Sequence, residues 1–407
     1  MQKKQLITHE FPFSAIPAII TVMRLLFSGL GILIYTSLCT YIGSRLFGFL
    51  RFFLPGVKAL AFWLPFLLLC YASIMVNLTR SPRLIFMRHF SAYGLAVFMY
   101  LFLSFIVFDL LRLALMICKR SLLTPQFSAV GIGAALCLCC IMIVCGAVHA
   151  RSISTARYKI NIPGQNNDVR LALISDLHIG STVNRAWISR VVDKINSAEP
   201  DMVCIAGDIF DGNLDIVNDL PGLTAEFNRI NAPLGVYACL GNHDVDRMFQ
   251  AGKTERIEKF LSEAGVTLLQ DEATEAGENI LIIGRRDARP IGMNSTRKPA
   301  AELRGIINSG HESGKIVIVL DHQPTQFAQI EEAGADLVLC GHTHSGQLFP
   351  ANLITLGMYK KAGGTHYGYW KGKSLQALVT SGAGVWGPPL RIATNNEVAI
   401  IDIGGGQ

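Results

Sequence analysis

The chain has 407 residues, is 51% hydrophobic but only 16% charged, and carries 36 Lys and Arg against 30 Asp and Glu, a formal net charge of +6. Its length is too great for one small domain, and its apolarity exceeds that of an ordinary soluble protein, so two folding units are expected. The apolar residues concentrate in the first third, the basic residues cluster around them, and no basic strip with interleaved aromatics occurs. The charge therefore reads as membrane topology and not as a nucleic-acid surface; the expectation is a bilayer partner and no nucleic acid.

Residues 1 to 24 do not read as a cleavable signal, because the first long apolar run comes late and no small-residue cleavage site follows it. Four apolar segments come next, over 25–43, 59–78, 91–108 and 127–148. Each is close to the ~20 residues that the hydrocarbon thickness of a bilayer requires. Phe11 to Ile20 reads either as part of this set or as an interfacial segment. With four spans both ends share one side. That side carries Lys3, Lys4, Arg24, Arg80, Arg83, Arg88, Arg151, Arg157 and Lys159, against Arg45, Arg51, Lys58, Lys119 and Arg120 on the other. The heavier side is cytoplasmic by the positive-inside rule, which gives a multi-pass protein of an inner or plasma membrane with its C-terminal domain in the cytoplasm. Asp109 and Arg112, three residues apart, are expected to neutralise each other on one helix face. No chain of intramembrane polar residues suggests a transport path.

His149 to Asp168 gains charge, Ser and Asn, and reads as an exit linker with a turn at Pro163-Gly164. The expected division is 1–150 for the helical bundle and 151–407 for a globular domain. Beyond the linker, strands are expected over 170–175, 201–206, 235–240, 279–283, 315–320 and 335–340. Helices are expected over 184–197, 214–230, 253–264 and 326–333, and strands with little helix over 367–403. Alternating units with continuous apolar strands imply sheets covered by helices on both sides. Of the ten cysteines, six lie in the apolar runs, Cys118 lies just beyond the third, and Cys204, Cys239 and Cys340 lie in or at the ends of expected strands. With no CxxC pair, they read as free, small apolar residues.

Five clusters at strand ends organise this second half: Asp176-Leu177-His178, Gly207-Asp208-Ile209-Phe210-Asp211, Gly241-Asn242-His243-Asp244, Asp321-His322 and Gly341-His342-Thr343-His344. In open α/β sheets the loops at the carboxyl ends of strands form the active crevice. The side chains are carboxylates, imidazoles and a carboxamide, a mixed oxygen and nitrogen set that suits Mn, Fe or Zn better than Ca or Mg. A pair of cations about 3.5–4 Å apart can share a water, lower its pKa and clamp both ends of a phosphoryl displacement. The remaining histidines, His9, His89, His149 and His311, lack partner clusters; His366 lies in a Gly-rich loop.

These motifs closely resemble the calcineurin-like metallophosphoesterase superfamily over 158–403. The resemblance implies an α/β fold, a four-layer α/β/β/α sandwich of two packed sheets, here preceded by an all-α transmembrane bundle of about four helices. It implies two divalent metal ions: Asp176, His178, Asp208 and His344 on one, and Asp208, Asn242, His322 and His342 on the other, with Asp208 as bridge. His243 would protonate the leaving oxygen as general acid, and Asp211 would orient its ring. Ser345-Gly346-Gln347, Gly382-Ala383-Gly384, Pro388 and Arg391 look like the membrane-associated branch, whose activities are on phosphorylated lipids or diphosphate-linked lipid precursors. Gly212-Asn213 after the second motif and Asp244 after His243 depart from the Ser/Thr protein phosphatases and argue against a phosphoprotein substrate. Arg285 and Arg286 read either as a phosphate grip or as a solvated pair.

The expected function is a membrane-anchored, metal-dependent phosphohydrolase that cleaves a phosphoester or diphosphate of a small-molecule or lipid substrate. The alternatives are a phosphodiesterase acting on a soluble nucleotide, and a membrane receptor or transporter with a ligand-sensing domain.

Overall fold

The computed structural model describes residues 16–78, 85–118, 124–163, 168–212, 214–245, 252–288 and 297–405. Four long helices come first: α1 (Ile16–Phe53), α2 (Ala59–Leu78), α3 (Ile85–Cys118) and α4 (Pro125–His149). Within them Gly29–Phe53, Ala59–Val76, Phe90–Ile117 and Pro125–His149 are long and apolar enough to cross a membrane. All four expected segments are helical, and α1 and α3 run well past the stretches read from the sequence. Lys3, Lys4, Arg80, Arg83, Lys119 and Arg120, on which the sidedness argument leaned, lie outside the described residues, as do His9, the turn residue Gly164, Asn213 and the start of the Phe11–Ile20 segment.

The described chain groups into two compact units. One comprises the residues up to Met75 together with Gly94–Cys140; the other comprises Val76–Tyr93 and the chain from Ile141 on. The first unit packs around Ile42, Phe105, Ile132 and Ala135. A partly buried ion pair corrects the expected Asp109–Arg112 neutralisation. Asp109 Oδ2 instead accepts from Arg45 Nη2 at 2.6 Å and from Tyr41 Oη at 2.6 Å, both on α1. A tertiary partner that donates from a planar fork has displaced the local one.

The second unit is a four-layer sandwich. In chain order its elements are β1 (Ile153–Asn161), β2 (Val169–Ile174), α5 (Arg185–Asn196), β3 (Met202–Ala206), α6 (Leu220–Phe227), β4 (Val236–Cys239), α7 (Asn242–Val245), α8 (Lys253–Glu263), β5 (Thr267–Leu268), β6 (Glu272–Ala276), β7 (Ile280–Gly284), α9 (Arg304–Glu312), β8 (Ile316–Leu320), α10 (Phe327–Ala333), β9 (Leu337–Cys340), α11 (Ala351–Lys361), β10 (Gly368–Lys371), β11 (Gln376–Val379) and β12 (Asn396–Gly404). One sheet runs β1-β12-β2-β3-β4-β5, the other β10-β11-β9-β8-β7-β6. Central strands such as β3 (MVCIA), β7 (ILIIG) and β8 (IVIVL) are buried at every position. Both their faces are covered, so the sequence is continuously apolar instead of alternating.

Between the sheets, Leu171, Leu173, Met202 and Cys204 meet Ile280, Ile282, Ile316 and Ile318. On the outer face of the first sheet α5 presents Ile188, Val191, Val192 and Ile195, a single stripe at helical spacing. Asn184 caps that helix by accepting from Trp187 N at 3.1 Å. On the outer face of the second sheet, Ile307 of α9 and Phe327 and Ile330 of α10 pack on Ile283, Val317 and Val338.

Three departures from the sequence reading have physical causes. The expected linker contains β1, paired in parallel with β12 from Ile153↔Asn396 to Asn161↔Gly404. It is a half-exposed edge strand with Arg157 and Lys159 in it, and its partner lies at the far end of the chain. The helix expected over 214–230 divides into a short 3-10 turn at Leu214–Ile216 and α6, which begins at Leu220-Pro221, capped by Asp219. Finally, α9, α11, β5 and β6 are elements that sequence periodicity did not mark.

Candidate metal centre

Each of the five clusters leaves the carboxyl end of a strand: Asp176 after β2, Asp208 after β3, Asn242 after β4, His322 after β8 and His342 after β9. At these exits the backbone is forced into the left-handed region at Asp176 (φ 52), His178 (φ 49), Asp208 (φ 51), His342 (φ 72) and His344 (φ 49). For non-glycine residues this conformation is uncommon and costs roughly 1–3 kcal/mol each; it persists where surrounding structure over-determines it, and it clusters at functional sites. Close approach does the determining. A Cβ on Gly341 would lie 1.8 Å from Ser175 Oγ and 2.4 Å from Asp176 Oδ2, so only glycine lets the β9 exit lie against the β2 exit.

The side chains converge in two adjoining groups. In the first, Asp176, His178 and His344 bring ligand atoms within 4.8 Å of one another. His178 Nε2 is 3.0 Å from His344 Nε2, and Asp176 Oδ1 is 3.5 Å from His344 Nε2 and 3.9 Å from His178 Nε2. In the second, Asp208, His322 and His342 do the same. There His322 Nε2 lies 3.2 Å from Asp208 Oδ2, 3.2 Å from Asn242 Oδ1 and 3.2 Å from His342 Nδ1. The two groups meet at Asp208, whose Oδ2 is also 3.7 Å from His178 Nε2. A third triple, His178, Asp208 and His243, is equally compact, so the structure brings His243 beside the first group as the motif resemblance implies.

The donor chemistry fits divalent cations. His322 Nδ1 is 2.7 Å from the Ala206 carbonyl and carries a proton to donate to it. In a neutral ring the Nε2 lone pair then faces a carboxylate, a carboxamide oxygen and another imidazole nitrogen, all groups that offer electrons. Such a convergence is stabilised by positive charge at its centre. The titration behaviour agrees. Burial opposes charge on His322, yet the adjacent Asp208 raises it well above the ordinary histidine range; burial likewise acts against Asp208 ionising, but His322 and His178 hold it well below the carboxylate range. Burial pushes His178 down to about 4 and, with His178 and Arg391 beside it, drives His344 well below its usual value. Both rings are therefore neutral, with lone pairs available for coordination. Burial above all pushes Asp176 up to about 6, against the pull of His322.

His243 stands at the rim, its side chain 19% exposed, with Nδ1 3.5 Å from Asp211 Oδ1. Burial disfavours its charged form, but Asp211 and Asp208 outweigh burial and raise it above the ordinary value. Asp211 is correspondingly lowered, its burial overcome by His243 and His178.

Several supporting residues escaped the sequence reading. Asp244 is fully buried and accepts from Ile209 N (3.1 Å), Phe210 N (2.9 Å) and Gly241 N (2.9 Å), so it ties the loop carrying Asp208 to the loop carrying Asn242. Burial and the neighbouring Asp208 push its carboxyl up to about 6. Arg391, singled out only by resemblance, lies buried behind His344; it donates to the carbonyls of His344 (2.9 Å), Ser381 (2.8 Å) and Gly384 (2.7 Å) and to Asn396 Oδ1 (2.9 Å). Gln347 pins the loop at Trp386, whose ring meets that of His243 at 5.8 Å.

Arg285 and Arg286 are neither a phosphate grip nor a solvated pair. Arg285 is 1% exposed and binds Asp321 Oδ2 at 2.9 Å, a carboxylate that Arg297 also engages; Arg286 donates to Asp271 and the Gln270 carbonyl. Asp321 is thus tied to arginines while its neighbour His322 turns to the centre. His366 approaches the site through its backbone, its carbonyl accepting from Thr343 Oγ1 at 2.5 Å.

Comparison with known proteins bears on this geometry. Residues 169–346 match the model of the calcineurin-like phosphoesterase family. The chain is 29% identical over 246 residues to an uncharacterized metallophosphoesterase of Campylobacter jejuni, covering 60% of this chain and 62% of that one. It is 31% identical over 252 residues to a metallophosphoesterase of Helicobacter pylori (58% and 60%) and 32% identical over 249 residues to a transmembrane protein with metallophosphoesterase domain of Danio rerio (59% and 54%). The chain thus spans about 60% or less of the length of these curated relatives. The strand-end clusters and the two-sheet sandwich thus lie in a region, residues 169–346, that matches the calcineurin-like phosphoesterase family, and four apolar helices precede it.

Proposed function

We propose that this protein is a membrane-anchored dimetal phosphohydrolase, with residues 1–150 as anchor and 151–407 as the catalytic part. It cleaves a phosphoester or diphosphate bond of a substrate held at the membrane. The observation that carries this reading is the meeting of two ligand groups at the Asp208 carboxylate, whose Oδ2 lies 3.2 Å from His322 Nε2 and 3.7 Å from His178 Nε2.

Asp176, His178, Asp208 and His344 would hold one divalent ion; Asp208, Asn242, His322 and His342 would hold the other. When bound, such ions supply an acidified water and positive charge opposite the phosphoryl oxygens. The rest falls to the chain. Asp211 keeps the Nδ1 proton of His243 directed at itself, so Nε2 faces the cleft. With its affinity for protons raised by Asp211 and Asp208, His243 is suited to carry a second proton on Nε2 and to transfer it to the leaving oxygen. Burial of Asp176, Asp208 and His178 keeps bulk water from solvating the ligands, which strengthens every charge interaction at the centre.

The test is a hydrolysis screen of the detergent-solubilised full chain, reconstituted with Mn²⁺, that follows p-nitrophenol from bis-p-nitrophenyl phosphate and separates the products formed from lipid phosphates, nucleotides and diphosphates. Hydrolysis abolished by EDTA and restored by Mn²⁺ is expected. Turnover indifferent to chelation would reject the reading.

A further inference from the structure

Among the described residues beyond His149, large apolar or aromatic side chains are covered almost everywhere. The ones left more than a third exposed all fall between Phe349 and Trp386: Phe349, Leu353, Ile354, Leu356, Met358, Tyr369 and Trp386. Four of them are on α11, an eleven-residue helix with no fully buried residue and with Lys360 and Lys361 in its last turn. A clustered patch of this kind marks a partner or a membrane.

Charge and continuity select between these. Lys360 and Lys361 close α11, and from Leu337 to Asn396 the sequence contains no aspartate or glutamate. An exposed apolar helix that ends in two exposed lysines complements anionic headgroups over acyl chains. The patch also connects to the ends of the apolar helices within its own compact unit. Ile392 packs on Gly146, and Arg391 N donates to the Gly146 carbonyl at 3.1 Å, one turn from the end of α4. Tyr93, near the start of the apolar stretch of α3, donates from its hydroxyl to the Pro389 carbonyl at 3.5 Å. Phe349 N in turn bonds the Ile392 carbonyl at 3.1 Å and leads directly into α11. The segment 386–392 therefore runs from the His243 ring, through Trp386, to the ends of two candidate membrane helices.

We propose that α11 and the Trp386 segment form a membrane-interface element, bedded among lipid headgroups, that brings the mouth of the metal centre to the bilayer so that it receives a phosphate carried on a lipid. This deepens the function proposed above and rests on it for the substrate, while the seating in lipid stands independently. Leu353, Ile354 and Met358 enter the acyl boundary, Lys360 and Lys361 meet phosphates, and Trp386 sits at headgroup depth beside His243, where an amphipathic aromatic is favoured.

The test uses the full chain in nanodiscs of phosphatidylcholine with phosphatidic acid. Ile354→Trp is compared with wild type for tryptophan quenching by lipids brominated on their acyl chains. Extra quenching and a blue-shifted emission are expected; emission from a water-exposed indole without quenching overturns the proposal. In parallel, turnover of phosphatidic acid in the disc and of soluble p-nitrophenyl phosphate is measured in wild type and in Leu353→Glu/Ile354→Glu. A loss of about tenfold or more on the lipid with unchanged soluble turnover supports the proposal, since removing the seating removes the local concentration of substrate. Equal turnover of both substrates in both proteins, or no wild-type turnover of the lipid beside active soluble hydrolysis, overturns lipid presentation. Quenching without metal-dependent hydrolysis of either substrate would support the seating and reject the phosphohydrolase reading.

Discussion

Removing the Asp244 carboxylate should weaken the metal centre without touching a ligand. The carboxylate is completely buried and accepts three backbone N–H groups, two on Oδ2 from Ile209 and Gly241 and one on Oδ1 from Phe210. Asp244→Asn keeps the shape but exchanges one oxygen for a donor. The amide turns its oxygen to the pair of N–H groups and its NH₂ to Phe210 N, which loses one bond and sets two donors face to face. An unsatisfied buried donor costs about 1–3 kcal/mol. Asp244→Ala strands all three donors and leaves a void, so about 3–5 kcal/mol is expected, in the range of severe core defects. For a domain of this size each kcal/mol lowers the melting midpoint by roughly 2–4 °C. Thermal unfolding of the purified chain should therefore fall by several degrees in Asp244→Asn and further in Asp244→Ala. Manganese affinity should weaken in the same order, because the loops being untied carry Asp208 and Asn242. Midpoints and affinity indistinguishable from wild type in both variants would refute the reasoning.

His243→Ala should retain its metal content while losing roughly 10²–10⁴-fold in rate on substrates with poor leaving groups, and far less on p-nitrophenyl phosphate, whose leaving oxygen needs no proton. Wild-type speed on an alkyl phosphate would remove His243 from the mechanism. Gly341→Ala should yield protein depleted in metal, because the new methyl would overlap Ser175 Oγ and Asp176 Oδ2 and push the β9 exit away; normal metal content by elemental analysis would contradict the packing. Glu226, between Arg229 Nη1 at 2.5 Å and Arg185 Nε at 3.0 Å, is held below its ordinary value of 4.5 chiefly by Arg229. A depressed carboxylate contributes stability that is present above 4.5 and lost as pH falls through its lowered folded-state value. Glu226→Gln should thus lower the melting midpoint at neutral pH and flatten its acid-side fall, with midpoints converging at low pH; parallel curves would contradict this.

The ligand clusters were legible because each follows a short, wholly apolar strand, and buried strands such as β8 and β9 leave little choice of secondary structure. Their convergence on one rim was readable from their places at strand ends, whereas the meeting of two groups at Asp208 was legible only through motif resemblance. What remained hidden depends on tertiary partners. The strand β1 looked like a linker because it is half polar and pairs with β12 across the length of the domain. The bracing role of Asp244 stayed hidden because its three backbone donors are supplied by folding, and Arg285 read as a phosphate grip or a solvated charge because Asp321 is reached only through the β7–β8 pairing. The helix α11 carries no one-sided apolar stripe to announce it, and Leu353, Ile354, Leu356 and Met358 stay exposed on it.

The claim on which the rest depends is that Asp208 joins two cation sites. The most direct measurement is the manganese content, by elemental analysis after Mn²⁺ reconstitution and desalting, of the full chain and of Asp208→Asn. A pair of ions per wild-type chain, reduced to one or none in the variant, is the predicted result. A wild-type chain that retains no divalent ion, or an Asp208→Asn chain that retains as many as wild type, would contradict it.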